Sequence, residues 1–308
     1  MKKKKILITG SNGLLGQKLV YKIVFEDQFD CIATSRGENR VLLREGYEFF
    51  SLDTTEFEAV FSTLEYLKPD VIINTAAMTN VDACELNRED AKLQNELAVQ
   101  NLITALEKLK TNDYDPHLIH LSTDFIFDGS HGPLTEDEKP NPLSYYAETK
   151  LNAETIIQRS KLKWAIARTV LVYGIVDNMS RSNIVLWAKS ALENGQKIQV
   201  VDDQFRTPTL AEDLAEGCLL IAAKDAQGIY NISGKDFMSI LELVERVGKF
   251  WKLDLSLIIP SKSETIKQPA KRPPITGFLI DKAIRELGYK PHSFEEGLQL
   301  IDQQLHNK

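Results

Sequence analysis

The sequence predicts an α/β protein: a doubly wound parallel sheet flanked by helices, followed by a smaller C-terminal lobe. Three observations predict it. Short β-branched runs alternate with helical stretches through the first half, the pattern of strands joined by crossover helices. The runs are almost continuously apolar, as strands covered on both faces are. A glycine-rich turn joins the first run to the first helix.

The elements follow in order. "KKILITG" reads as a buried strand, and "LLGQKLVYKIVFE" has apolar residues at helical spacing. "FDCIATS" and "YEFFSLD" are the second and third strands. The helix-like "TEFEAVFSTLEYLK" is stopped by Pro69 and Asp70, and "VIINTAA" is the fourth strand. A long helix around "NELAVQNLITALEKLK" leads to the fifth strand, "HLIHLST". Pro142 suits the first turn of the next helix, with Asn141 as its cap. "KWAIARTVLVYG" is the sixth strand.

Beyond Gly174 the pattern loosens. A helix near "NIVLWAKSALENG", a strand "KIQVV", two helices around "LAEDLAEGCLLIAA" and "MSILELVERVGKFW", and a terminal amphipathic segment are expected. The division is therefore residues 1–172 for the sheet domain and 173–308 mainly for the second lobe, with the chain crossing back to the first.

Several classes are excluded. A formal charge of −7 argues against a nucleic-acid surface. The basic run Lys2 to Lys5 precedes a strand and reads as a solvated start, with weak anion binding as the alternative. It is no signal peptide, since "ILITGSNG" meets turn residues too early for an apolar core. No stretch is long enough to span a membrane. Cys31, Cys84 and Cys218 are widely spaced and odd in number, as reduced thiols of a cytoplasmic protein would be. The five histidines are scattered, and no metal site is expected.

In "ITGSNGLLGQ", Gly10, Gly13 and Gly16 stand three apart between strand and helix, with Asn12 and Leu14 in the same turn. Glycine lets the backbone turn tightly and approach a pyrophosphate, while the helix N-terminus offers free N–H groups to phosphate. That context predicts dinucleotide binding and a Rossmann-like sheet. At the end of the second strand, where an NAD site places an acid, stand Ser35 and Arg36. A guanidinium suits a 2′-phosphate, so NADPH is expected. NADH is the alternative, with Glu38 as the acid and Arg36 and Arg40 merely solvated.

"LSYYAETKLNAE" carries the chemistry. Residues four apart share a helix face, so Tyr146 pairs with Lys150 while Tyr145 points elsewhere. An ammonium beside a phenol favours the phenolate and lowers its pKa from about 10 toward working pH, making a general acid. Ser122 and Thr123 end the fifth strand, where ligands sit in open parallel sheets.

These motifs, with "INTAAMTNVDACE", "LSTDFIFDG", "ARTVLVYG", "VVDDQFRTPT" and "KRPP", resemble the dTDP-4-dehydrorhamnose reductase family within the extended short-chain dehydrogenase/reductases. The resemblance spans nearly the whole chain. It implies a Rossmann-like doubly wound sheet with a C-terminal substrate-binding lobe, and reduction of a 4-keto group of a nucleotide sugar by NAD(P)H. By that resemblance Thr123 is the active-site threonine, Tyr146 the proton donor, and Lys150 the lysine that binds the nicotinamide ribose and tunes the tyrosine. Asp53, with Thr54, lies near the adenine. Ala76 and Ala77 line the cofactor, and Thr79 and Val81 lie toward the substrate.

A sugar diphosphate needs cations and amide donors. Arg206, Arg272 and Asn183 are the substrate-side candidates, each with a surface or structural role as the alternative; Asp124 and Phe125 follow Thr123 toward the substrate. Arg168, inside a strand, is expected to be structural. Phe125, Met78 and Gly277 depart from the family's usual tyrosine, aromatic and serine, which bears on the sugar more than on the reaction. The partner expected is a nucleotide sugar, with a homodimer compatible. Competing readings are an epimerase, against which Arg36 weighs; a dehydratase, for which only Asp124 offers an acid; and a non-catalytic regulator resembling the β subunit of methionine adenosyltransferase.

Overall fold

A computed structural model describes residues 3–178 and 182–306. Along the first half run β1 (Lys5–Thr9), α1 (Leu14–Glu26), β2 (Asp30–Ser35), β3 (Tyr47–Ser51), α2 (Phe57–Leu67) and β4 (Val71–Asn74). Two short helices, α3 (Val81–Leu86) and α4 (Arg88–Lys92), lead through a wider π turn at Leu93–Leu97 into α5 (Ala98–Leu109). Then come β5 (His117–Thr123), α6 (Tyr145–Arg159) and β6 (Lys163–Thr169). The second half holds β7 (Val172–Tyr173), α7 (Ile184–Glu193), β8 (Ile198–Val201), β9 (Phe205–Arg206), β10 (Thr209–Leu210) and α8 (Ala211–Ala223). It finishes with β11 (Gly228–Asn231), β12 (Met238–Ser239), α9 (Ile240–Phe250), β13 (Ile258–Ser261), β14 (Ile275–Thr276) and α10 (Phe294–His306).

The main sheet has seven strands in the order β11-β6-β5-β4-β1-β2-β3, and every neighbouring pair is parallel. Successive side chains alternate between faces. Ile6 and Ile8 pack on one face with Leu15, Leu19 and Ile23 of α1 and Leu214 and Cys218 of α8. Leu7, between them, faces the other way, toward Leu64 of α2, Leu102 and Leu106 of α5 and Ile157 of α6. Each fully buried Leu or Ile there contributes about 1.5–3 kcal/mol. Strand order reverses between β1 and β4, so their C-terminal ends open a crevice where ligands of such sheets bind.

A second core unites Val185 and Leu192 of α7, Val200 of β8, Leu243 and Val247 of α9 and Leu298 of α10. Small sheets β12-β9-β14 and β13-β8 frame it. Segments beyond residue 172 also return to the main sheet: α8 covers one face and β11 forms its edge.

The six expected strands are present, with two adjustments. Helix α6 starts at Tyr145, not Pro142, because Ser144 caps it by accepting from the Ala147 N–H at 3.4 Å. Asn141, the expected cap, instead donates to Asp128 at 2.9 Å. The sixth strand stops at Thr169, since Leu171 takes a left-handed φ of 40° and β7 then pairs with β10. Lys2 lies outside the described residues. Lys3 and Lys4 pair with Asp27 and Asp225 at 2.5 and 2.7 Å, as a solvated start would. Among the described residues no helix is long and apolar enough to cross a membrane. No group of three or more His, Cys, Asp or Glu there is placed to hold a metal.

Candidate functional site

Two cavities meet at the crevice and share Gly13, Thr75 and Ala77. The smaller, about 470 Å³, takes in Gly10, Asn12, Ser35, Arg36, Asp53, Thr54 and Ala76. The larger, about 660 Å³, takes in Leu14, Gly16, Thr79, Val81, Thr123, Asp124, Phe125, Tyr146 and Lys150, with Arg206 and Arg272 from the second lobe. Of the candidates read from the sequence, Asn183 and Glu38, the acid of the NADH alternative, line neither.

The glycine loop is built for close approach. Gly10 has φ +69°, and a Cβ there would lie 2.8 Å from the Ala76 nitrogen. A Cβ on Gly16 would fall 2.3 Å from the Gly10 carbonyl oxygen, so α1 can start tight against the strand only with glycine. No acid occupies the first turn of α1, which leaves its positive end for an anion. Asn12 ties the loop to the segment after β2: its amide donates to the Glu38 carbonyl and its oxygen accepts from the Arg40 N–H, both at 2.8 Å. Arg36 donates to Gln94 at 3.1 Å and lies 3.9 Å from Asp53. Arg36 and Arg40 both line this cavity, and a guanidinium suits the 2′-phosphate of an NADP(H)-type dinucleotide.

At the other end, α6 presents Tyr146 and Lys150 on one face, both buried, while β5 ends in Thr123. The Thr123 hydroxyl is fixed on two sides. It donates to Asp124 at 3.2 Å and accepts from the Phe125 N–H at 3.2 Å, beside the Tyr146 phenol. Tyr146 packs edge-on against Phe125, ring centres 6.2 Å apart. Tyr145 turns away, its ring under the Arg88 guanidinium at 4.9 Å. Asn95 braces the floor, accepting from the Met78 N–H at 2.7 Å and donating to Thr149 at 3.1 Å.

The electrostatics correct one expectation. Burial raises the Tyr146 phenol above its usual range; the Thr123 hydrogen bond opposes this and the Asp124 charge adds to it. Lys150 is not hydrogen-bonded to the phenol: its Nζ donates to the Leu121 carbonyl at 2.6 Å and lies 3.1 Å from His120 Nε2. Burial brings Lys150 down to about 8, opposed by Glu154. The phenol is thus held protonated, which is the state a proton donor needs.

The substrate-side candidates divide. Arg206 is buried, and its guanidinium donates to the carbonyls of Phe205, Pro273 and Pro274 at 2.7, 2.7 and 3.1 Å. It lies 3.6 Å from Asp124 and 5.5 Å from the Phe125 ring centre. Asp124 also accepts from Thr276, and burial raises its carboxyl. Arg206 and Asp124 are thus occupied in joining the lobes. Asn183 caps α7, accepting from Leu186 and donating to the Gly174 carbonyl at 2.7 Å, so its amide is not aimed at a ligand. Arg272 reaches Asp82. Arg168 is structural, its two prongs on buried Glu154 at 3.0 and 2.7 Å.

Sequence reading missed His120, Asn74 and Asn95. The available signal was a polar residue interrupting a buried apolar run, as in "HLIHLST".

The family model for the RmlD substrate binding domain matches residues 4–307. Methionine adenosyltransferase 2 subunit beta from Xenopus tropicalis is 31% identical over 85% of this chain and 77% of its own. Among solved structures, a dTDP-4-dehydrorhamnose reductase from Clostridium acetobutylicum superposes with a TM-score of 0.83 at 28% identity, covering 98% of this chain and 99% of that one. One from Bacillus anthracis in complex with NADP gives 0.82 at 25%, covering 99% and 100%.

Proposed function

We propose that this chain, which belongs to the RmlD substrate binding domain family, reduces the 4-keto group of a nucleotide-linked deoxysugar with NADPH. The substrate of choice is dTDP-4-dehydro-L-rhamnose, giving dTDP-L-rhamnose. The observation that carries this reading is the meeting of Thr123, Tyr146 and Lys150 at one cavity that the glycine loop also lines.

The chemistry follows from the residues. The reduced nicotinamide, when bound, supplies the hydride. Thr123, its oxygen held by the Phe125 N–H, turns its one hydroxyl proton from Asp124 to the sugar carbonyl when substrate is bound. Tyr146, kept protonated by burial, gives its proton to the oxygen that becomes an alkoxide. Lys150 then returns a proton to the phenolate. Arg36 and Arg40 beside the smaller cavity favour a 2′-phosphate, and the relative with NADP bound supports the same cofactor. The buried thiols of Cys31, Cys84 and Cys218, none of them in a disulfide, support a reducing, cytoplasmic location.

A second reading is a nucleotide-binding subunit of a methionine adenosyltransferase, favoured by the 31% identical relative. One experiment separates them: purified chain with NADPH, or with NADH, and dTDP-4-dehydro-L-rhamnose, following cofactor oxidation and product by NMR. Formation of dTDP-L-rhamnose supports the reductase. NADP(H) binding without turnover, together with capture of a methionine adenosyltransferase catalytic subunit, would support the second reading.

A further inference from the structure

Lys150 is held by more than its own helix. An ammonium has three N–H donors and no acceptor. One of its donors goes to the Leu121 carbonyl at 2.6 Å, and a second points at His120 Nε2, 3.1 Å away. One is left for the cavity that Lys150 lines. His120 is only 1% exposed and is itself anchored: Nδ1 lies 3.0 Å from the Asn74 amide, whose other end contacts the Thr9 hydroxyl at 2.5 Å. Thr9, Asn74 and His120 occupy β1, β4 and β5, three adjacent strands, so a chain of buried polar groups crosses the sheet and ends at Nζ.

We propose that His120 is a positioning residue for Lys150: its neutral imidazole, fixed by Asn74, takes one ammonium N–H at Nε2 and thereby aims the remaining donor into the cavity. The inference rests on the reductase reading, in which Lys150 serves Tyr146.

The chain also fixes a tautomer. Because the ammonium can only donate, Nε2 must offer its lone pair and the ring proton must sit on Nδ1. The Asn74 amide, turned end for end, then gives its oxygen to Nδ1 and its nitrogen to Thr9, keeping both contacts. Burial and the Lys150 charge both hold His120 well below its ordinary pKa, so it stays neutral. Besides His120, Glu154 on α6 acts on Lys150, and its carboxylate is bound by Arg168 of β6; Tyr146, one turn back on the same helix, lines the same cavity. Neither is hydrogen-bonded to Nζ as His120 Nε2 is.

Two measurements test it. The first needs no substrate: ¹⁵N-histidine NMR of the intact chain at neutral pH, with His120→Gln identifying the signals. The expected result is a neutral imidazole protonated at Nδ1. An Nε2-protonated or doubly protonated ring would overturn the proposal.

The second is the pH profile of kcat. Lys150 sits near 8, so activity should fall on the basic side as its ammonium is lost. In His120→Leu, which removes the acceptor, that limb should move down by about one pH unit, roughly tenfold in the ionisation constant. His120→Gln, whose amide oxygen accepts the same bond, should bring it back. An unmoved limb in folded His120→Leu would overturn the proposal. If the wild type reduces no keto sugar, the reductase reading fails, while the tautomer still decides the role of His120.

Discussion

Arg272 and Asp82 meet as a two-pronged ion pair beside the larger cavity, with Nη1 3.2 Å from Oδ1 and Nη2 2.7 Å from Oδ2. The same guanidinium donates to Gln268 at 2.7 Å and to the Ala270 carbonyl at 3.2 Å, and its hydrogen bonds to Asp82, with the Ala270 N–H and its charge adding, hold that carboxyl below the usual range. Arg272 is thus a cation on the cavity wall that Asp82 keeps in place. On the reductase reading it serves the substrate diphosphate. Arg272→Ala should raise KM for the sugar nucleotide by about 10–100-fold, the worth of a lost charge-assisted hydrogen bond, with kcat changed far less. Steady-state kinetics decide it. An unchanged KM would leave Arg272 only the task of tying residues 268–272 to α3.

Arg36 should govern cofactor choice. Its side chain stands at the end of β2 on the wall of the smaller cavity, where a 2′-phosphate gains a charge-assisted contact. Arg36→Ala should lower kcat/KM for NADPH by about 10–100-fold and leave NADH nearly unaffected. Equal losses with both would deny it that role.

The buried pair Arg168–Glu154 should be intolerant of half-removal. Both side chains are at most 3% exposed, so Glu154→Ala strands a guanidinium in the core, at a cost of about 3–5 kcal/mol. Urea unfolding should show that loss. Glu154→Leu combined with Arg168→Met should recover most of it, since no charge is then left unpaired.

His117, buried at the start of β5, should give a pH-dependent term. Burial lowers it from its ordinary 6.5 to about 4, so between those values the unfolded chain binds the extra proton. Stability is then full above 6.5 and is lost as pH falls toward 4, by at most about 3 kcal/mol. His117→Phe should flatten that part of the stability–pH curve. A variant that keeps the wild-type slope from pH 7 to 4 would assign the slope to other groups.

Sequence made the sheet and the Tyr146–Lys150 pair legible because both depend on local periodicity: strands repeat apolar residues, and a helix brings residues four apart together. It was silent where the partner is distant. Arg206 stands in a polar run and looks like a ligand. Only the fold shows that the carbonyls of Pro273 and Pro274, 67 and 68 residues away, converge on its guanidinium. Asn183 stays open in the sequence between ligand donor and structural residue for a similar reason, since a helix cap and a ligand donor look alike until the helix start is known. The short strands β9, β12 and β14 carry no periodicity at two residues each. Their pairing comes from segments that meet only after the lobe has folded.

The central claim is that Tyr146 donates the proton. Its most direct test is Tyr146→Phe beside wild type, measured as NADPH oxidation with dTDP-4-dehydro-L-rhamnose, with NADPH affinity measured separately. The expected result is a loss of about 10²–10⁴-fold in kcat, with the cofactor still bound. Turnover at the wild-type rate in the phenylalanine variant would contradict the claim.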